Sequence, residues 1–216
     1  MQIMPWFYYV GRTMVWMLLI LLTNWRVRGK ENIPSQGSLL IVANHINLSD
    51  PPILGTSLNR KVVFMAKEEL FRSKLTNYFI RGFGAFPVHR GQLDRTALRQ
   101  ADQVLAQGRA LVMFPEGMRS HSSQLRRALP GAARIAQRSG SLILPVGITG
   151  TEKIKGLSWL LHRPKLTVNI GHPFHLPAVS RKSARGETTE LTGYIMEQIA
   201  KLLPLEYRGH YTEREN

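Results

Sequence analysis

The stretch SLLIVANHINLSDPPILGTSL, residues 38–58, decides how this chain is read. Six residues, Ser38 to Ala43, form a short continuous apolar run, the signature of a strand buried on both faces. Pro51 and Pro52 then open a helix that runs through Ser57, because proline is tolerated in a first helical turn. Between strand and helix stand Asn44, His45 and Asp50. On a continuous helix, side chains five residues apart point about 140° away from each other. His45 and Asp50 therefore meet only if the chain turns between them, and the residue before a proline is biased away from the helical region. An aspartate that accepts a hydrogen bond from one imidazole nitrogen fixes the tautomer and leaves the other nitrogen as a general base. The same residues also suit a plain helix start, with Ser49 or Asp50 as the cap. Spacing alone leaves both readings open.

Outward from this stretch the pattern is α/β. Strands are expected at 61–66 (KVVFMA), 84–88, 110–114 (ALVMF), 142–148 and 166–170. Helices are expected at 68–81, 94–107 with Asp94 as cap, 130–139 stopped by Gly140, and 187–203. Alternation of this kind predicts a mixed, largely parallel sheet flanked by helices. In such sheets functional residues gather in the turns after strands. Pro145, inside the run LILPVGI, predicts an edge strand or a bulge.

The N-terminus differs. Residues 6–25, WFYYVGRTMVWMLLILLTNW, are apolar apart from Arg12 and a few small polar residues, with an unbroken run only from Met14 to Leu22. A span needs about 20 apolar residues. The run is short for that, and no small-residue cleavage site follows it. Trp6, Tyr8, Tyr9, Trp16 and Trp25 are side chains that settle at a bilayer interface. Residues 1–25 are therefore read as a membrane-associating helical segment that dips into or lies on the bilayer, and 26–216 as one α/β domain.

Composition narrows the partners. The chain has 216 residues, 29 Lys and Arg against 14 Asp and Glu, a formal charge of +15 and no cysteine. Disulfides, Cys-based zinc sites and thiol nucleophiles are excluded. The charge points to an anionic membrane, to phosphorylated small molecules or to nucleic acid. A nucleic-acid binder would interleave aromatic with basic residues. Here the aromatics cluster at the N-terminus, so no nucleic acid is expected. His172 and His175 lack an acidic or cysteine companion, and no metal is assigned.

Two further blocks carry candidate chemistry. In FPEGMRS, 114–120, Gly117 lets backbone N–H groups converge on an anion and Arg119 adds a charged fork. In GFGAFPVHRG, 82–91, Arg90 ends a short strand, and Lys67 follows the strand KVVFMA. Cations from several turns around one pocket would hold a phosphate monoester.

Taken together, NHINLSD (44–50), GAFPVHRG (84–91), FPEGMRS (114–120) and LPVGI (144–148) resemble, in order and spacing, the glycerophospholipid acyltransferases, and within them the bacterial 1-acylglycerol-3-phosphate acyltransferases. The similarity covers roughly residues 26–175. It implies that His45 deprotonates the 2-hydroxyl of lysophosphatidic acid, with Asp50 orienting it. The alkoxide would attack the thioester of acyl-CoA or acyl carrier protein directly, giving phosphatidic acid with no further cofactor. It implies that Lys67, Arg90 and Arg119 hold the phosphate while Glu116 and Gly117 shape the acceptor site. It also implies membrane association, expected at the cytoplasmic face of the cell membrane. The chain departs from the family pattern at Met118, where threonine is usual, and at Ala128-Leu129-Pro130-Gly131, where Phe-Lys usually precedes the glycine. Both departures border the expected phosphate site. The alternatives are another lysolipid or alcohol as acceptor, or a non-catalytic basic membrane-binding protein.

Overall fold

The computed structural model describes residues 5–89, 94–177 and 184–212. Arg90, one of the expected phosphate ligands, lies outside them. Helix α1 (Pro5–Leu22) leads into strand β1 (Asn24–Arg28). There follow β2 (Leu39–Ala43), α2 (Asp50–Ser57), β3 (Val62–Lys67), α3 (Lys74–Gly82), β4 (Ala85–Val88), α4 (Arg95–Ala106) and β5 (Ala110–Met113). Then come α5 (Gly131–Ser139), β6 (Leu142–Thr149), α6 (Trp159–His162), β7 (Lys165–Ile170), α7 (Ala184–Ala200) and α8 (Leu205–Arg208).

The strands form one seven-stranded sheet in the order β1-β7-β6-β2-β5-β3-β4. All neighbours are parallel except β6 and β7. The sheet is thus mixed and largely parallel, as the alternating pattern requires. Since β1 and β7 run against the other five strands, they begin at the sheet end where β2, β5 and β6 finish. Loops after the parallel strands and the two helices that precede β1 and β7 share that end.

Strand β2 is the axis of the core, and each of its residues is fully buried. Leu40 and Val42 pack on one face, with α4, α5 and α7. Leu39, Ile41 and Ala43 pack on the other, with α1 and α2. Burial on both faces is why the run is continuously apolar rather than alternating.

Four details differ from expectation. Strand β1 was not foreseen; at five residues, with two arginines, it reads poorly from sequence and is held by parallel pairing to β7. It also contains residue 25, so the expected segment boundary falls inside a strand. The helix expected at 68–81 is divided: Glu68–Phe71 is a single 3-10 turn, and α3 starts after Ser73, whose backbone is extended. Pro145 stands in an interior strand rather than at an edge or bulge. Its carbonyl accepts from the N–H of Gly171, one residue past the end of β7, so the proline stands where the β6–β7 ladder ends.

Among the described residues no helix is long and apolar enough to cross a membrane. Helix α1 buries Tyr8 and Leu19 but leaves Trp6, Tyr9, Met14, Trp16, Leu18 and Leu21 exposed. Its neighbour is α3: Phe7 meets Tyr78, Phe79 and Phe83 at ring-centroid distances of 5.4–5.8 Å. Glycine allows this approach, because a Cβ on Gly82 would lie 2.5 Å from the Phe7 ring. Leu75, Tyr78 and Phe79 of α3 are exposed as well, which extends the apolar face of α1.

Candidate active site

The turn that links β2 to α2 brings His45 and Asp50 together, with His45 Nδ1 2.8 Å from Asp50 Oδ2. The same carboxylate oxygen accepts the backbone N–H groups of Ile46, at 2.6 Å, and Asn47, at 2.7 Å. With Oδ2 serving as the acceptor of these N–H groups, Nδ1 is the nitrogen that donates to it and Nε2 keeps its lone pair. Asp50 is completely buried and His45 nearly so.

The prolines have a specific part in this. Asp50 does not cap the helix it begins, and Ser49 makes no side-chain cap bond either. Pro51 and Pro52 have no N–H to offer, so two donors of the first turn are missing. The carboxylate turns back instead to the amides of 46 and 47 and to the imidazole. A helix start and a His–Asp pair are one structure here, not alternatives.

The block after β5 holds His45 from the other side. Glu116 Oε1 accepts the His45 N–H at 2.8 Å, and Glu116 Oε2 accepts the Arg126 N–H at 2.9 Å. The Ser120 N–H donates to the His45 carbonyl at 2.7 Å. Phe114 stacks on the imidazole with centroids 4.3 Å apart and planes 24° from parallel. Burial pushes the Glu116 carboxyl up to about 7, against the two amide donors and the Arg126 charge, and the negative Asp50 adds to the rise. Asn44 pins the preceding residue: its side-chain amide donates to the Ile148 carbonyl at 2.8 Å and accepts the Ile148 N–H at 2.7 Å.

His45 opens on a cavity of about 440 Å³ between the sheet and helices α1 to α3. Its wall is mostly apolar and includes Val15, Phe64, Ile80 and Phe83. Three cations reach it: Arg12, Lys67 and Arg119. Arg12 does not extend to solvent, because its guanidinium donates to the Leu58 carbonyl at 2.6 Å. Lys67 is half exposed and pairs with Glu69 at 2.9 Å. Arg119 is exposed. A second apolar cavity, of about 320 Å³, lies behind Phe114 and Met65, between β3, β5, α4 and α5.

The structure therefore gathers His45, Lys67 and Arg119 around one cavity, with Asp50 buried behind the imidazole. Glu116 sits behind the imidazole with both oxygens engaged by backbone. Gly117 has a φ of 71°, and a Cβ there would lie 2.5 Å from Leu129, a residue of the departing 128–131 block. No role was expected for Phe114, Asn44 or Arg12. Asn44 stood within the motif, and Arg12 was a lone cation in an apolar helix; Phe114 gave no signal beyond its place before Pro115. Among the described residues no group of three His, Asp or Glu side chains converges as a metal site would require.

Comparison with known proteins sets this geometry in context. The Acyltransferase family profile matches residues 24–149. The 1-acyl-sn-glycerol-3-phosphate acyltransferase of Streptococcus pneumoniae is 32% identical over 180 residues, which cover 79% of this chain and 66% of that protein. The chain thus spans about two thirds of the length of that relative. The Bacillus subtilis protein of the same name is 28% identical, over 82% of this chain and 87% of its own. The crystal structure of the 1-acyl-sn-glycerophosphate (LPA) acyltransferase, PlsC, of Thermotoga maritima superposes with a TM-score of 0.68 at 25% identity, covering 90% of this chain and 79% of that one.

Proposed function

This chain belongs to the acyltransferase family, and we propose that it moves a fatty acyl group from a thioester donor to the 2-hydroxyl of 1-acylglycerol-3-phosphate, giving phosphatidic acid. The observation that carries the reading is the His45–Asp50 contact at the mouth of an apolar cavity that Lys67 and Arg119 also line. The relatives named above as acylating that acceptor support the substrate class.

The reaction uses one base and no covalent enzyme intermediate. His45 Nε2 takes the proton of the acceptor hydroxyl as its oxygen attacks the thioester carbonyl. A C–O bond forms and the carbonyl becomes a tetrahedral oxyanion. Collapse breaks the C–S bond, and the imidazolium returns its proton to the departing thiolate. Asp50 balances the imidazolium charge throughout. A positioned base of this kind contributes about 10²–10⁴ in rate. Phe114 and Glu116 hold the ring plane and backbone of His45, so that little reorganisation accompanies transfer. Lys67, Arg119 and Arg90 supply the charge for the acceptor phosphate. Glu116 acts on the acceptor site indirectly, through the loop from 114 to 126. The donor is acyl-CoA or acyl carrier protein, and the enzyme works at the membrane, on its cytoplasmic face.

A second reading keeps the chemistry and changes the head group. Lys67 is already paired with Glu69, which sets a carboxylate at the cavity rim and would suit a zwitterionic lysolipid. One assay separates the two. Purified protein in micelles is given an acyl thioester with lysophosphatidic acid or with zwitterionic lysolipids, and thiol release and product mass are followed. Phosphatidic acid is the expected product, and His45→Ala abolishes it. Silence of the wild type with every acceptor and donor would defeat the catalytic reading. Turnover confined to zwitterionic acceptors would select the second.

A further inference from the structure

The most exposed large apolar side chains among the described residues are not on α1. They are Leu161, 86% exposed, within the one-turn helix α6, and Leu157, 80% exposed, just before it. Leu160 is exposed beside them. A folded chain has no reason of its own to display three leucines within five residues, and contiguous exposed apolar groups mark a contact surface.

The placement of this segment says what it contacts. Strands β1 and β7 are parallel, with Asn24 opposite Lys165, so the ends of α1 and α6 arrive side by side. Arg163 donates to the Ile20 carbonyl of α1 at 3.0 Å, and the Asn24 N–H donates to the Pro164 carbonyl at 3.0 Å. At its other end the segment is tied to the catalytic turn, where the Asn47 amide donates to the Ile154 carbonyl at 3.1 Å. Leu21, the last exposed leucine of α1, is 67% exposed, so the apolar face of α1 continues into 157–161. This is the sheet end at which His45 lies.

Charge completes the pattern. Lys153, Lys155, Arg163 and Lys165 flank the leucines and are exposed. The one carboxylate of the segment, Glu152, is turned inward to the Tyr207 hydroxyl at 2.8 Å. An apolar tip ringed by cations suits the boundary between acyl chains and anionic head groups. We infer that residues 157–161 form a second lipid-inserting element, which together with α1 seats the His45 end of the sheet on an anionic bilayer. This rests on the functional reading only in that the acceptor is taken to reside in a bilayer.

The absence of cysteine makes the test direct. The L161C variant of the 216-residue chain, labelled at its single thiol with an environment-sensitive fluorophore, is mixed with vesicles containing phosphatidylglycerol or with pure phosphatidylcholine vesicles. The expected result is a blue shift on the anionic vesicles, quenched by lipids brominated along their acyl chains, and a weaker shift on phosphatidylcholine. In the unlabelled protein, L157D combined with L161D lowers vesicle partitioning about tenfold. Its turnover of a water-soluble short-chain acceptor stays within about twofold of wild type, since neither leucine lines the cavity. An unshifted label, or a double variant that sediments with vesicles as wild type does, overturns the inference. A blue shift that grows with protein concentration in the absence of vesicles also overturns it, by assigning the face to a contact between copies. Fluorescence and sedimentation need no turnover, so they decide this question even if the acyltransferase reading fails.

Discussion

Asp50→Asn isolates the charge of the His–Asp pair from its geometry. Asp50 Oδ2 accepts three hydrogen bonds, from His45 Nδ1, Ile46 N and Asn47 N. An amide oxygen in that place keeps all three. The new NH₂ falls where Oδ1 now lies, buried and without a protein partner, at a cost to stability of about 1–3 kcal/mol for an unsatisfied donor. What is lost to catalysis is the attraction between carboxylate and imidazolium. With charge centres about 4 Å apart and an effective dielectric of about 20, that is about 4 kcal/mol. At about 1.4 kcal/mol per tenfold, kcat falls about 10³-fold. KM for the acceptor changes little, because Asp50 does not line the cavity. Initial rates of thiol release at saturating donor and acceptor measure the effect, with thermal unfolding as the control for folding. A folded variant that retained kcat within about tenfold of wild type would refute the reasoning, because the charge would then not be acting on the imidazolium.

Glu116→Gln tests the support behind His45. Both carboxylate oxygens accept backbone N–H groups, and an amide can accept only on one side; the variant should lose about 1–3 kcal/mol of stability at pH 8 and part of its kcat. The folded Glu116 carboxyl titrates near 7 rather than in its ordinary range. The native state thus holds a proton that the unfolded state releases earlier, and this contribution to stability is present at acid pH and is lost as pH rises towards 7. Wild-type stability measured against that of the glutamine variant should fall over this window, and a pH-independent difference would exclude the link. Arg119→Gln should raise acceptor KM about tenfold or more with kcat nearly intact, as loss of one charge-assisted contact requires; an unchanged KM removes Arg119 from the head-group site. Gly117→Ala should destabilise by about 1–3 kcal/mol, through a left-handed backbone and a clash with Leu129. Leu129→Ala should relieve part of that cost in the double variant, and strict additivity of the two changes would show that the clash is not the cause.

Much of the fold was legible because its strongest signals are local. The run at 38–43 is apolar at every position because β2 is covered on both faces. Asp94 caps α4 as its sequence context demanded, its Oδ1 accepting from the Ala97 N–H at 2.9 Å. Gly140 ends α5 in a left-handed conformation. Pairing was not local. Strand β1 exists because β7, some 140 positions later, lies beside it. The division of 68–81 into a turn and α3 falls at Ser73, whose backbone is extended, and Leu70, Leu75, Tyr78 and Phe79 are exposed there rather than packed in a core. Pro145 was misplaced because local sequence cannot report that the neighbouring strand stops one residue short of it.

For the site, the sequence by itself determined the chemical groups: an imidazole, an acid five residues on, and cations spread over separate turns. It also determined that two prolines follow the acid, and their missing N–H groups are why the carboxylate turns back. Only the tertiary structure decided which of these groups share a cavity and which stand behind it. Glu116 is 71 residues from His45 along the chain and binds its backbone. Arg12 comes from α1 to the same cavity, and its place is set by a carbonyl 46 residues away. A motif records which residues are present. The direction in which a side chain points depends on the strands and helices that close around it, and those contacts are made between segments that no local pattern connects.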